Sequence, residues 1–536
     1  MFVKPCRWLG LILICSLSAC IALPPLSPTP SPATSSTLTP TLLAPTELVP
    51  TETVLPPTPT KLSPTPRLSP APTLAPTATS TFGLSSAGPW LVYRDVAGWV
   101  AVDGAGPHGE PVELSREAPL STTLTSAFTR AGALFAAPAP SDGWFAFYSA
   151  NSTANFALTV KRLPDRQSGL LQMPLLSADL EEQVRASSAG SLPDTVQAIL
   201  FRRPLWSPDG RALAFAGAFE TSNSALYLYR PGEKVAKRLT DGEQQAVLVA
   251  WSPDSQWLLY EILSPDYAGQ APVVASIWAI PAAGGAPKKL LEVDKESTDA
   301  PEFLGWSPMG EAVMFMPDVN DQGNAVCVAL NLITGQTATW QRGYFSNMAY
   351  DPQTGTVAMI PISIYGPHDS IVLAYPDGKK IQPPVLSGKI WPSIEWLPGL
   401  QRFFAFGVFE TILLAPDGSL VYLPDETAQQ IDERPAVSPD GQWLAFWNEN
   451  SGVRLYDSSG KPVRAISVDD AQGTLAVAWQ PDSSGFYMVG DDGKLYSVTL
   501  PEEEPGFVDS GLDPSVNNML PDAPANLGWV QAGSKP

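Results

Sequence analysis

The chain is poor in the residues on which most catalytic and metal chemistry depends. Of 536 residues only two are histidine and four are cysteine. That scarcity nearly excludes zinc-type metal sites and His-dependent catalysis. Charge is sparse at 16 %, and basic charge is the sparser sign. Thirty-two Lys and Arg face 53 Asp and Glu, a formal net charge of −21. Such a surface repels a phosphate backbone, so nucleic acid is not an expected partner. No Gly-x-Gly-x-x-Gly or P-loop stands in a strand-to-helix context, and nucleotide binding has no support. What is abundant is apolar side chain, 44 % of the residues, interrupted by 57 Pro and 41 Gly. Long helices do not survive that interruption, whereas many short strands joined by turns do.

The N-terminus reads as a secretory signal. Lys4 and Arg7 precede a mostly apolar stretch from Leu9 to Leu17, and small residues follow. The run over residues 8–23 contains Ser16, Ser18 and Cys20. It falls short of the roughly 18 clean apolar residues that a spanning helix needs. Leu17-Ser18-Ala19-Cys20 resembles the lipobox of bacterial lipoproteins. That resemblance implies a diacylated Cys20 as the mature N-terminus and an address on the outer face of a bacterial membrane. Cys6 and Cys15 would leave with the signal, residues 1–19. Only Cys327 would then remain as a thiol, in an alternating apolar run that predicts a buried strand. Loss of Lys4 and Arg7 would take the net charge to about −23.

Residues 20–82 form the next predicted unit. Between residues 24 and 82, 38 of 59 residues are Pro, Thr or Ser, and the only aromatic is Phe82. Nothing there can bury enough apolar surface to offset ordering, so the segment is expected to be a disordered stalk. Proline at this density favours polyproline II, with a reach of at most roughly 180 Å.

From residue 83 to 536 the chain is expected to be one domain. Its clearest unit is an apolar stretch, a Trp-Ser-Pro-Asp-Gly turn, and a second apolar stretch. Leu205-Trp206-Ser207-Pro208-Asp209-Gly210 is the best copy. Variants centre on Trp251 with Asp254, Trp306 with Met309, Val437 with Asp440, and Trp479 with Asp482. Degenerate copies occur at Pro140-Ser141-Asp142-Gly143, Ala349-Tyr350-Asp351-Pro352 and Glu395-Trp396-Leu397-Pro398-Gly399. Between prolines 208, 253, 308, 352, 398, 439 and 481 the steps are 45, 55, 44, 46, 41 and 42 residues. A period in the forties with short strands marks a β-propeller blade. Proline pre-sets each turn, Asp bonds the backbone two residues on, and Gly takes the positive φ. The aspartates of these turns, Asp142, Asp209, Asp254, Asp440 and Asp482, are therefore read as structural.

These repeats resemble those of TolB-like and WD-repeat-like propellers, over most of residues 88–531. The resemblance implies an all-β fold: a single propeller of four-stranded blades. TolB itself has an α/β domain before its propeller, for which this sequence shows no counterpart, and its partners are not carried over. The first unit, around Trp90 and Trp99, lacks a preceding Trp-Ser-Pro-Asp strand. Residues 526–531 supply a lone strand that can fill the gap and close the ring. Counting that composite gives nine units. Propellers of four to eight blades are typical, which sets the expectation at eight, within seven to nine. Residues 177–185, with Leu180 and Val184 four apart, predict a short helix between blades.

No catalytic constellation stands out. Gly-x-Ser-x-Gly is absent and the repeats run close to Pro536, so a peptidase domain is not expected. His108 and His368 each follow Gly-Pro and read as loop residues. Residues 318–323 begin like a calcium loop, but Gln322 holds the fifth position and Ala329 the twelfth, so no metal is expected. Trp340 and Trp391, in less apolar settings, are candidates for a rim that stacks on a sugar. The resulting expectation is a lipid-anchored, monomeric, acidic propeller head without cofactor, serving as a scaffold for an envelope protein or a saccharide. The competing expectation is a propeller enzyme acting on envelope polysaccharide or peptide.

Overall fold

The computed structural model describes residue 84 and residues 88–531 except 96–97, 105–110, 117–136, 151–155, 165–170, 187–191, 265–272, 294–300, 318–324, 363–369, 387–388, 408–409, 424–434, 449–450, 468–472, 501–505 and 510–526. Cys20, the signal, the stalk, both histidines and the 318–323 loop lie outside the described residues.

The described strands form nine four-stranded antiparallel sheets. The blade count is thus nine, at the top of the expected range and one above its centre. Nine is the number of units counted along the sequence, and the usual upper limit of eight does not hold here because the degenerate units are blades as well. Asp351 and Pro398 follow strands Phe345–Tyr350 and Ser393–Leu397, and each of these opens a complete blade without a full Ser-Pro-Asp-Gly turn. Numbered along the chain, blade 1 contains Trp90–Arg94, Gly98–Asp103 and Val112–Arg116. Blade 2 runs from Ala137–Pro138 to Leu171–Pro174, and blade 3 from Leu205–Trp206 to Lys237–Arg238. Blade 4 spans Gln245–Trp251 to Lys288–Glu292, and blade 5 spans Glu302–Trp306 to Thr337–Gly343. Blades 6 to 9 open on Phe345–Tyr350, Ser393–Leu397, Ala436–Val437 and Thr474–Trp479. The opening strands of neighbouring blades touch one another, which makes them the inner wall of the ring.

Each sheet is apolar on both faces, and side-chain alternation divides its residues between two neighbours. In blade 1, Leu91 and Tyr93 pack with Ala476, Tyr487 and Val489 of blade 9. Trp90 and Val92 point the other way and pack with Phe145 and Phe147 of blade 2. The same division recurs around the ring, so the buried clusters are the seams between blades. One cluster is larger and spans blades 2, 3 and 4, joined there by helical residues of an insertion.

Backbone-directed hydrogen bonds reinforce the seams. The indole N–H of Trp206 donates to the Ala137 carbonyl at 2.9 Å, Trp251 to Leu205 at 2.9 Å, and Trp479 to Ala436 at 3.1 Å. In each case the acceptor begins the inner strand of the preceding blade. Farther out, Lys237 donates to Ala283 and Lys288 to Ile333, each reaching a turn of the following blade.

The ring closes where the sequence predicts. Gly528–Val530 is the inner strand of blade 1, with Val530 opposite Trp90, Trp529 opposite Leu91 and Gly528 opposite Val92. Trp529 meets Tyr487 of blade 9 edge-on at 5.6 Å, and its ring covers Gly104, where any Cβ would fall 2.2 Å away. The Gln531 carbonyl then accepts the Gly143 amide of blade 2. Trp529→Ala is expected to lower global unfolding stability by about 3–4 kcal/mol, the usual cost of emptying such a site. Chemical denaturation checks this; an unchanged midpoint with fraying confined to residues 528–531 would refute closure as a stability element.

Candidate functional site

The repeat-turn aspartates are engaged inside their own turns. The Ser207 hydroxyl donates to Asp209 Oδ1 at 2.6 Å, the Arg211 amide donates to the same oxygen at 3.1 Å, and the Ala212 amide donates to Ser207 Oγ. Ser252 with Asp254 and Ser438 with Asp440 repeat this geometry at 2.6 Å. At Asp482 the preceding position is Gln480, and Ser484 supplies both donors instead. Asp142 differs: it lies at φ 65°, and among the described residues its carboxylate accepts the Ser141 hydroxyl at 3.2 Å without a turn amide. Burial pushes the Asp209 and Asp440 carboxyls up, but the Ser hydroxyls and turn amides outweigh it and the net direction is down. At Asp482 the Ser484 hydroxyl and amide lead, again downward.

Two turns carry Ser where Gly is usual. Ser255 and Ser483 sit at φ 59° and 62°, a left-handed conformation that disfavours a side chain. Their hydroxyls accept the amides of Asp209 and Asp440 in the preceding blade, at 3.2 and 3.0 Å. The strain is thus coupled to contacts between neighbouring blades.

Polar contacts outside the turns include a set at the connection between blades 2 and 3. The connection contains helix α1, Ala178–Ala186, and helix α2, Asp194–Phe201. In α1, Leu180 and Val184 share one buried face, and the Ser177 hydroxyl accepts the Leu180 amide at the N-terminus. Asp179 and Glu181 in the first turn and Arg185 in the last complement the helix dipole. Helix α2 buries Val196 and Ile199, one turn apart. Thr195 donates to the Ser222 carbonyl of blade 3 and accepts from Gln245 of blade 4 at 2.5 Å. The Tyr148 hydroxyl of blade 2 donates to the Arg202 carbonyl at 3.0 Å. The connection therefore bridges three blades.

Its most unusual contact is Arg202 Nη2 to Glu261 Oε2, at 3.3 Å. Glu261 is 2 % exposed, in the blade 4 strand Trp257–Leu263. Tyr260 and Ile262 face the blade 3 seam, so Glu261 faces the opposite side of the sheet, between Val247 and Ile277 on its neighbouring strands. Burial pushes the Glu261 carboxyl up, and Arg202 opposes this without cancelling it.

Glu261 and Arg202 are not apparent from the repeat pattern; the available signal is one acid in an otherwise apolar strand. The rim expectation for Trp391 is corrected: it is fully buried, its indole donating to the Leu386 carbonyl at 3.2 Å. Trp340 lies against Tyr350 at 5.7 Å in the seam of blades 5 and 6. Cys327 is buried in the same seam, where burial pushes its thiol up to about 12. Among the described residues, no group of three or more His, Cys, Asp or Glu could hold a metal ion.

Two outcomes follow from this geometry. Arg202→Met is expected to cost about 2–3 kcal/mol, less than a fully buried pair because Arg202 is 40 % exposed. Glu261 is then a raised acid, whose contribution is present at low pH and lost as pH rises through its folded value. The deficit against wild type should shrink near about pH 4; a deficit independent of pH would contradict this. The depressed turn aspartates have the opposite sign. Their contribution is present above about pH 4 and lost as pH falls through their folded values. In Asp209→Asn the acid-induced drop in melting temperature should be smaller than in wild type. An equal drop would show that Asp209 does not contribute.

No protein-family model matches the sequence, and no curated protein matches it. Among solved structures, the chain is similar to a crystal structure of "the eukaryotic initiation factor". Identity is 11 %, coverage is 80 % of this chain and 97 % of that one, and the TM-score is 0.47. It is also similar to a structure from a study of two prolyl endopeptidases, at 13 % identity and a TM-score of 0.35. That match covers 73 % of this chain and 52 % of the other, about half its length. Saccharomyces cerevisiae Sqt1 is a third, at 13 % identity, 57 % and 84 % coverage, and a TM-score of 0.38. Likeness at this level concerns fold and carries no activity.

Proposed function

We propose that this protein is a bacterial envelope lipoprotein, held to the membrane through Cys20 and a Pro/Thr/Ser stalk, whose acidic propeller head binds a protein or a small ligand. One observation carries the binding reading. The repeat aspartates and the motif tryptophans Trp206, Trp251 and Trp479 are engaged within the ring itself. The connection between blades 2 and 3 adds polar side chains outside the repeat, and their hydrogen bonds tie blades 2, 3 and 4 together. A platform of fixed polar groups on a closed ring suits recognition. The enzyme reading calls for paired carboxylates, whereas the buried acid that this connection meets, Glu261 of blade 4, faces a guanidinium. Anchoring rests on Leu17-Ser18-Ala19-Cys20 behind a charged, then apolar, leader. Among the described residues no helix is long and apolar enough to cross a membrane.

Growth on labelled palmitate is expected to tag the wild-type protein and not Cys20→Ser. Equal labelling of both would overturn the anchor. Crosslinking of the full chain in intact cells is expected to trap a partner whose yield falls when residues 178–201 are replaced by a short linker.

A further inference from the structure

Within each blade the turn after the inner strand and the turn before the outer strand lie at one end of the sheet, because neighbouring strands are antiparallel. The connection that carries α1 and α2 joins an outer strand to the next inner strand, so it lies at the opposite end. The three most exposed large apolar side chains among the described residues all stand at the turn end: Met309 at 84 %, Val235 at 71 % and Ile333 at 65 %. Met309 holds the place that Asp209, Asp254, Asp440 and Asp482 hold in other copies of the repeat turn. Blade 5 thus presents an apolar side chain to water where those copies present an acid.

Lysines border these side chains and join them into one surface. Lys237 of blade 3 donates to the Ala283 carbonyl of blade 4 at 2.6 Å, and Lys288 of blade 4 donates to the Ile333 carbonyl of blade 5. Lys234 and Lys289 are exposed beside them. No acid occurs in residues 281–289, 307–310 or 331–337, which include three of the turns of blades 4 and 5. Acids that border the patch are engaged: Glu233 faces Arg230, Asp254 accepts the Ser252 hydroxyl, and Glu311 accepts the Ser307 hydroxyl. The chain also joins the ring at this end. Trp90 begins the second strand of blade 1 opposite Val530, the last residue of its inner strand.

We propose that the turn end of blades 3 to 5 is a docking surface for an anionic phospholipid bilayer, the membrane in which Cys20 is anchored. Exposed apolar side chains bordered by lysine suit the boundary between headgroups and acyl chains. The apolar groups leave water and the ammonium groups meet lipid phosphate. Tethering raises the effective concentration of that surface, so contacts that are weak one by one suffice. The net charge of −21 argues against contact over the whole ring end. Asp377, Asp417 and Asp457 stand in the corresponding turns of blades 6 to 8. Screening beyond about 8 Å at physiological salt leaves the local patch to decide. The ring therefore meets the lipid by one sector and holds the α1–α2 connection away from it. The proposal rests on the anchoring reading and gives the anchored head an orientation.

The test mixes the full chain with vesicles of phosphatidylcholine, with or without phosphatidylglycerol. Chloramine-T, a charged oxidant, converts exposed methionine to the sulfoxide, and peptide mass spectrometry reads each position. Met309 is expected to be protected several-fold where phosphatidylglycerol is present, and to react freely with phosphatidylcholine alone or at high salt. The buried Met314 and Met359 serve as unreactive references. Lys234→Glu/Lys289→Glu is expected to keep the wild-type melting temperature and lose most of the protection, and Ile333→Asp to do the same. Reactivity of Met309 that is the same in both kinds of vesicle would overturn the surface. So would protection that follows protein density and not phosphatidylglycerol, the sign of a second copy on the patch. Flotation with phosphatidylcholine vesicles reads the anchor separately. Protein that floats while Met309 stays reactive with phosphatidylglycerol defeats the docking surface alone. Protein that does not float defeats the anchor, and Met309 protection by phosphatidylglycerol still decides the surface.

Discussion

Everything in this ring depends on apolar sheet faces that have no partner within their own blade. A four-stranded sheet with both faces apolar is unstable in water, and each blade borrows cover from two neighbours. The alternation in Trp90–Arg94 shows the rule at its smallest scale: Leu91 and Tyr93 serve one seam, Trp90 and Val92 the next. A ring built this way tolerates no gap. Closure therefore falls on three residues, Gly528–Val530, that join the ends of a span of more than 400 residues. The Trp-Ser-Pro-Asp-Gly motif serves the same end. Its serine and aspartate fix the turn locally, while its indole ties the inner strand to the blade before.

Such a construction consumes its own chemistry. The aspartates that recur with the period are engaged in their turns, and Cys327 and Trp391 are packed away. Among the described residues, the pair of α-helices between blades 2 and 3 sets this ring apart from a regular repeat. The α1–α2 connection merges two seams into one cluster and brings Arg202 to a buried carboxylate. A buried ion pair is weak support for stability but a sensitive part of a structure, because losing either partner strands the other. That asymmetry is what makes the connection the best candidate for a specific role.

Local signals were legible in the sequence, and long-range ones were not. The blade period, the turn chemistry and the closing strand near Trp529 all rest on short patterns repeated at fixed spacing. Helix α1 was legible from Leu180 and Val184 at four-residue spacing. Helix α2 was not: it is short and opens after Pro193 without a side-chain cap. The Arg202–Glu261 pair joins residues 59 apart, one on the connection after α2 and one on blade 4, and no local pattern encodes it. Ser255 and Ser483 look like imperfect copies of glycine. Their function as acceptors for the preceding turn appears only once the blades are side by side. Trp391 misleads because its sequence neighbours are mixed in character, while its surroundings in space are the apolar seam of blades 6 and 7.

The central claim is that nine blades stand or fall as one closed ring, and hydrogen exchange on the full chain measures it most directly. Amides of Trp90–Arg94, Gly485–Gly490 and Gly528–Val530 lie in the first and last blades. If closure couples them, all three segments exchange through the same rare opening, with protection comparable to the strands of blades 3 and 4. Rapid exchange in Gly528–Val530 with full protection elsewhere would contradict the account, because the ring would then hold without its closing strand.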